Sequence, residues 1–287
     1  MDSSVVIRSF VGLTILLTLS GCAALWSPAT AKMARNLSAA TLNHPDPETV
    51  RQGAPAFLLT VDGLIEGDPA NADVLLAGSR LYGAYVAAFA DDPRRARLLA
   101  SRSLEYARRA LCTQRKPLCE STERPFDEFA VQLSSADEGD LAALYTFSTA
   151  WAGWVQSRSD DWNAIAQLPK IEASFERVLE LDDTYDGGNA HLYLAVLNTQ
   201  RPASMGGRPD RGRMHFERAI ELSGGRNLLA KVLFAKQYAR LVFDRALHDR
   251  LLEEVLASDP EARGLTLSNV LAQQQALELL DESKDYF

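Results

Sequence analysis

One seven-residue phrase occurs twice in this chain. Phe175-Glu176-Arg177-Val178-Leu179-Glu180-Leu181 returns as Phe216-Glu217-Arg218-Ala219-Ile220-Glu221-Leu222, 41 positions on. In each copy the apolar residues recur at the spacing of one helix face, with acids and arginines on the other. Between the copies lie a Gly187-Gly188 turn, an apolar run from Ala190 to Leu197, and a second turn through Met205-Gly206-Gly207. Helix, turn, helix, turn and helix again is the signature of stacked helical pairs, because no single pair buries its apolar face alone. The expected fold is all-α, a helical-repeat superhelix of about ten to twelve helices. No segment alternates with the two-residue period of a strand.

Punctuation supports the same reading. Asp46-Pro47, Asp68-Pro69, Asp92-Pro93 and Asp259-Pro260 each set a capping side chain before a proline suited to the first helical position. Helices are expected over 48–66, 72–90, 94–112, 140–157, 170–181, 189–199, 209–222, 228–243, 245–257 and 260–280. Ala56, Leu59 and Gly63 share one side of the first, and Leu98, Leu99, Leu104 and Ala107 read as the inward side of the third. Gly207 is expected at positive φ, just ahead of a helix start. The helix over 140–157 carries Tyr145, Phe147, Trp151 and Trp154. Trp151 and Trp154 have two readings, core packing or the wall of a ligand cavity, and aromatic stripes more often pack.

The N-terminus points to export. Phe10 to Leu19 is an apolar run too short to span a bilayer. It ends in Leu19-Ser20-Gly21-Cys22, small residues ahead of a cysteine, which is the pattern of a bacterial lipobox. The expectation is a lipoprotein signal peptide over 1–21, with Cys22 acylated by palmitate-type chains as the first mature residue. The competing reading is an ordinary signal peptide in which Cys22 is incidental. Residues 22–43 then form a tether, and 44–287 the helical domain. Ala23 beside the anchor, rather than an aspartate, is compatible with sorting to the outer membrane, so the expected location is the periplasm, lipid-anchored there.

Export reframes the other cysteines. Cys112 and Cys119 flank six residues, a gap that a disulfide closes easily in an oxidising compartment. A metal or redox pair is the alternative, and neither a CxxC spacing nor clustered histidines support it. A net charge of −8 argues against a nucleic-acid partner, since phosphates are repelled. His44, His191, His215 and His248 lack metal spacing, so neither metal nor cofactor is expected. No GxSxG elbow, Walker loop or nucleophile–base pair is present, and the chain reads as a non-enzyme.

Several pieces carry a family resemblance. They are Leu58-Leu59 through Asp62-Gly63-Leu64 with Leu81-Tyr82-Gly83-Ala84-Tyr85; Leu144-Tyr145 leading to Trp151-Ala152-Gly153-Trp154; Phe175 to Asp182; Ala190-His191-Leu192; and Arg201-Pro202 to Gly206-Gly207. Glu-Leu-Asp before a turn, then Ala190 and Leu194, resembles the tetratricopeptide (TPR) repeat. The ordered set, from about Ala56 to Ala257, resembles the TPR lipoproteins associated with TRAP transport, the TatT component family. That resemblance implies a TPR-like periplasmic lipoprotein that meets a TRAP system's soluble substrate-binding protein. It also implies a homo-oligomer, a trimer in the family's arrangement, and a small hydrophobic or organic-acid ligand in a helical pore or groove. Arg208 stands where an acidic or small polar residue is expected.

Candidate contacts follow from position. Asp182, Tyr185 and His191 gather where the first repeated helix turns into the next. His191 reads as a hydrogen-bonded structural group or as a ligand contact. Arg201 and Arg208 flank the Gly206-Gly207 turn, where they either attract a carboxylate or pair with Asp210 and neighbouring acids. The leading function is a helical-repeat lipoprotein that binds a partner protein. An envelope-assembly scaffold is the runner-up, and an enzyme with an unrecognised site the third.

Overall fold

The computed structural model describes residues 32, 33 and 36–287. The leader and Cys22 lie outside them. Among the described residues 78% are helical and none forms a strand. After a helical segment over 36–42 come α1 (Pro47–Gly67), α2 (Ala72–Phe89), α3 (Pro93–Gln114), α4 (Lys116–Ser121), α5 (Phe126–Ser134), α6 (Leu141–Gln156), α7 (Trp162–Ile165), α8 (Leu168–Leu181) and α9 (Asn189–Asn198). Then follow α10 (Pro209–Leu222), α11 (Leu228–Leu233), α12 (Arg245–Ala257) and α13 (Thr266–Tyr286). The thirteen exceed the ten expected ranges by three: α4 and α7, each six residues or fewer, have no counterpart among those ranges, and α5 falls on 126–133, which reads in the sequence as either a loop or a short helix.

Most helices pack on their neighbour in sequence, α5 packs on α8 instead, and larger surfaces join α2 to α3, α3 to α6, α6 to α8, and α9 to α10. The repeated heptamers are inner faces. Ile171, Phe175 and Val178 of α8 are fully buried, as is Phe216 of α10. Two hydrophobic cores result. One runs from Val50 to Leu194 and also takes in Leu267; the other runs from Leu192 to Leu279. Helix α9 serves both, with Ala190 and Leu194 facing the first and Leu192 and Ala195 the second. The ends meet as well: α13 packs on α1, and the Gly264 N–H donates to Asn43 Oδ1 at 2.6 Å.

Some expectations need correction. Asp46 and Asp92 do cap α1 and α3, accepting backbone N–H groups from Glu48, Thr49 and Arg94. Asp68 instead ends α1, and Asn71 caps α2 by accepting from Val74 N–H. Pro260 starts no helix; α13 begins at Thr266, after a turn in which Gly264 has φ 79°. Residues 228–243 are not one α-helix, because the ladder widens to a π-helix over Phe234–Ala239. Leu59 and Leu98 face solvent, 72% and 70% exposed, and Ala56 is exposed with them. Core α1 residues are Val50, Ala54, Leu58, Val61 and Ile65, one position off the expected face.

The Met205 turn also differs. Gly206 has the positive φ, 80°, and Gly207 does not. Gly207 is required for another reason: a Cβ there would stand 1.7 Å from the Arg201 carbonyl oxygen. The crowding arises because the loop doubles back, with Gly207 N–H donating to Pro202 O and Arg208 N–H to Asn198 O.

Candidate functional site in a polar seam between the two cores

Where the cores meet, the interior turns polar. The local cause is the turn between α8 and α9. Asp182 ends α8 and accepts from the Thr184 N–H at 2.9 Å and hydroxyl at 2.7 Å; these bonds, the hydroxyl first, hold its carboxyl below its usual range. Asp186, Gly187 and Gly188 then take left-handed conformations in succession, φ 51°, 67° and 77°. Aspartate tolerates this region better than most residues. Glycine suits position 188 because its φ of 77° is one that side-chain-bearing residues rarely adopt, and a Cβ there would also press on Leu222 of α10.

That turn presents Tyr185 and Asp186 to α6. The Tyr145 hydroxyl donates to Asp186 Oδ2 at 2.6 Å, and the Tyr145 and Tyr185 rings meet edge to face at 5.2 Å. Burial, then the Asp186 charge, pushes the Tyr145 hydroxyl well above its usual range, so it stays a donor. The neighbouring Tyr193 is pushed up to about 12, again by burial first. Arg80 of α2 reaches Thr146 Oγ1 at 3.1 Å and the Tyr185 oxygen at 3.4 Å.

From Asp186 a directed hydrogen-bond chain continues. Asn189 Nδ2 donates to Asp186 Oδ2 at 3.2 Å, and Asn227 Nδ2 donates to Asn189 Oδ1 at 2.9 Å. The carboxylate only accepts, so it orients both amides. Asn227 Oδ1 is left buried without a partner. A cavity of about 180 Å³ opens here, between the α8–α9 turn, the α10–α11 turn and the loop before α13. Asp186, Asn189, Arg226, Asn227 and Arg263 line it, beside small and apolar groups.

The sequence-derived candidates divide. Tyr185 belongs to the seam, and Asp182 holds the turn that presents it. His191 meets His215 instead of Asp182 or Tyr185, with Nδ1 atoms 2.8 Å apart and both Nε2 atoms buried without partners. Trp151 is buried against Phe129 and Phe147. Trp154 is half-buried beneath the Arg158 guanidinium at 4.5 Å. Neither indole lines the seam cavity. Arg208 pairs with Glu172 rather than Asp210, and Arg201 is exposed.

Cys112 and Cys119 stand in disulfide contact, Cα atoms 5.0 Å apart, tying the end of α3 to α4. Among the described residues, no group of three or more His, Cys, Asp or Glu side chains is arranged to hold a metal. Nor is any of their helices long and apolar enough to cross a membrane. Sequence reasoning missed Asp186, Asn189, Asn227, Arg226 and Arg263. The available signal was a polar residue at the start of each of two apolar helices, Asn189 before Ala190 and Asn227 before Leu228.

The chain is similar to an uncharacterized protein of Treponema pallidum (strain Nichols), 25% identical over 265 residues, covering 84% of this chain and 80% of that protein. A family model described as TRAP transporter T-component matches residues 43–287, from Asn43 through α13 to Phe287, which caps it. The chain belongs to the TRAP transporter T-component family.

Proposed function

We propose that this protein is the lipid-anchored T-component of a TRAP-type transport system, docking the system's soluble substrate-binding protein at the periplasmic face of the outer membrane. The observation that carries this reading is the family match over the entire helical body, residues 43–287. In this reading residues 1–21 are removed and Cys22 holds the acyl anchor. A single chain anchors only marginally and several hold stably. Stacked helix pairs supply the extended surface that partner recognition uses, and the chain works as a homo-oligomer, a trimer in the arrangement that the family resemblance implies. The seam cavity is the ligand site, and its polar lining favours an organic acid over a hydrophobic ligand.

The test is co-expression with the substrate-binding protein of a TRAP system from the same genome, followed by affinity purification and light scattering. Co-elution in a complex of fixed stoichiometry is expected. A binding protein that elutes alone at every salt concentration overturns the docking role.

A further inference from the structure

The seam cavity has two chemically distinct sets of groups. Asn227 is 5% exposed and its Oδ1 has no partner. Asp186 Oδ2 takes the Tyr145 hydroxyl and the Asn189 amide, while Oδ1 takes no bond. Both open groups are acceptors, and one belongs to a carboxylate. The Asn227 oxygen is buried and unmade, which costs its desolvation, on the order of 1–3 kcal/mol, while the Asp186 carboxylate is exposed; the site is therefore suited to an incoming donor at Asn227 and open to one at Asp186. The other set is cationic. Arg226 and Arg263 line the same cavity, and neither guanidinium is ion-paired among the described residues, although most arginines of this chain are.

We propose that this cavity binds a small α-amino acid as its zwitterion. The guanidinium groups of Arg226 and Arg263 take the carboxylate, in the planar pairing that arginine favours. Asn227 Oδ1 and Asp186 accept from the ammonium. A charged carboxylate acceptor discriminates for an ammonium over a hydroxyl, because only the former neutralises it. The volume of about 180 Å³ lies below the roughly 300 Å³ of ordinary drug-sized pockets, in keeping with a small ligand. This assignment deepens the reading of the seam as the ligand site, and it is independent of whether the binding protein docks.

The test is calorimetry on the full-length chain in detergent, titrated separately with L-alanine, L-lactate, acetate and ethylamine. L-Alanine is expected to bind at least tenfold more tightly than the other three, which lack the ammonium, the ammonium or the carboxylate respectively. Arg263→Gln and Asp186→Asn are each expected to weaken L-alanine tenfold or more, with helicity by circular dichroism unchanged. Arg263 is exposed, so its variant keeps the comparison usable if Asp186→Asn perturbs the turn. Absence of L-alanine binding overturns the proposal. So does L-lactate binding as tightly as L-alanine, or undiminished binding by a folded Arg263→Gln. Failure of any of these leaves co-elution with the binding protein unaffected, so the two readings fail separately.

Discussion

Tyr145 and Asp186 lie 41 positions apart in sequence and 2.6 Å apart in space, hydroxyl to carboxylate. The bond fastens α6, a helix of the first core, to the left-handed turn that leads into the second. Tyr145→Phe keeps the ring and removes only the donor. It is expected to lower unfolding free energy by about 1–2 kcal/mol, since the acceptor is charged and the donor buried. Urea denaturation of Tyr145→Phe, Asp186→Asn and the double variant measures the coupling. Strict additivity would show that the bond contributes nothing.

The His191–His215 pair makes stability depend on pH. Burial, the neighbouring histidine and Arg211 and Arg208 push His215 down to about 4 from 6.5, and burial also lowers His191. The folded state therefore holds protons less tightly than the unfolded chain. The stabilisation is fully present above about pH 6.5, the ordinary histidine value, and is lost as pH falls toward 4. Thermal melts across that window should show a steeper decline for wild type than for His215→Gln. Parallel curves would overturn the assignment.

Faces of α1 and α8 can be compared directly. Phe175→Ala empties a fully buried site and should cost about 3–5 kcal/mol. Leu59→Ala, on a residue 72% exposed, should stay within about 0.5 kcal/mol. Chemical denaturation of both variants checks the inward faces, and similar losses would contradict them.

We predict a disulfide between Cys112 and Cys119, whose Cα atoms are 5.0 Å apart. Thiol labelling of unreduced, denatured protein should leave both unmodified, and modification at both sites would refute the bond. Replacing the pair by alanine should cost about 2–3 kcal/mol, on the chain-entropy view of a short loop.

Cys22→Ser should release the protein from membranes into the soluble periplasmic fraction. Fractionation followed by immunoblotting reads this, and unchanged membrane retention would count against acylation at Cys22.

Much of this architecture is legible in the residues, and its gaps have physical causes. The repeated heptamers gave the inner faces of α8 and α10 because Phe175 and Phe216 recur at helical spacing on otherwise charged helices. The face of α1 was misjudged because both sides of that helix carry apolar residues, and Leu58 and Leu59 are adjacent. Asp68-Pro69 has the residues of a cap, yet Asn71 does the work, since the chain needs two more residues to turn from α1 to α2. The seam was invisible for a different reason. Its members come from separate elements, Tyr145 on α6, Asn227 at the start of α11 and Arg263 before α13. No local pattern reports that these meet. His191 and His215 likewise sit 24 positions apart on successive helices, a distance at which sequence carries no pairing signal.

The bond from Gly264 to Asn43 bears on how this molecule can evolve. An open solenoid lengthens by duplicating a unit, since each unit touches only its neighbours. Here the opening and closing stretches clasp each other, so an inserted pair of helices would prise them apart. Growth by duplication is therefore penalised, and diversity within such a body is steered toward its turns and lining residues rather than its length.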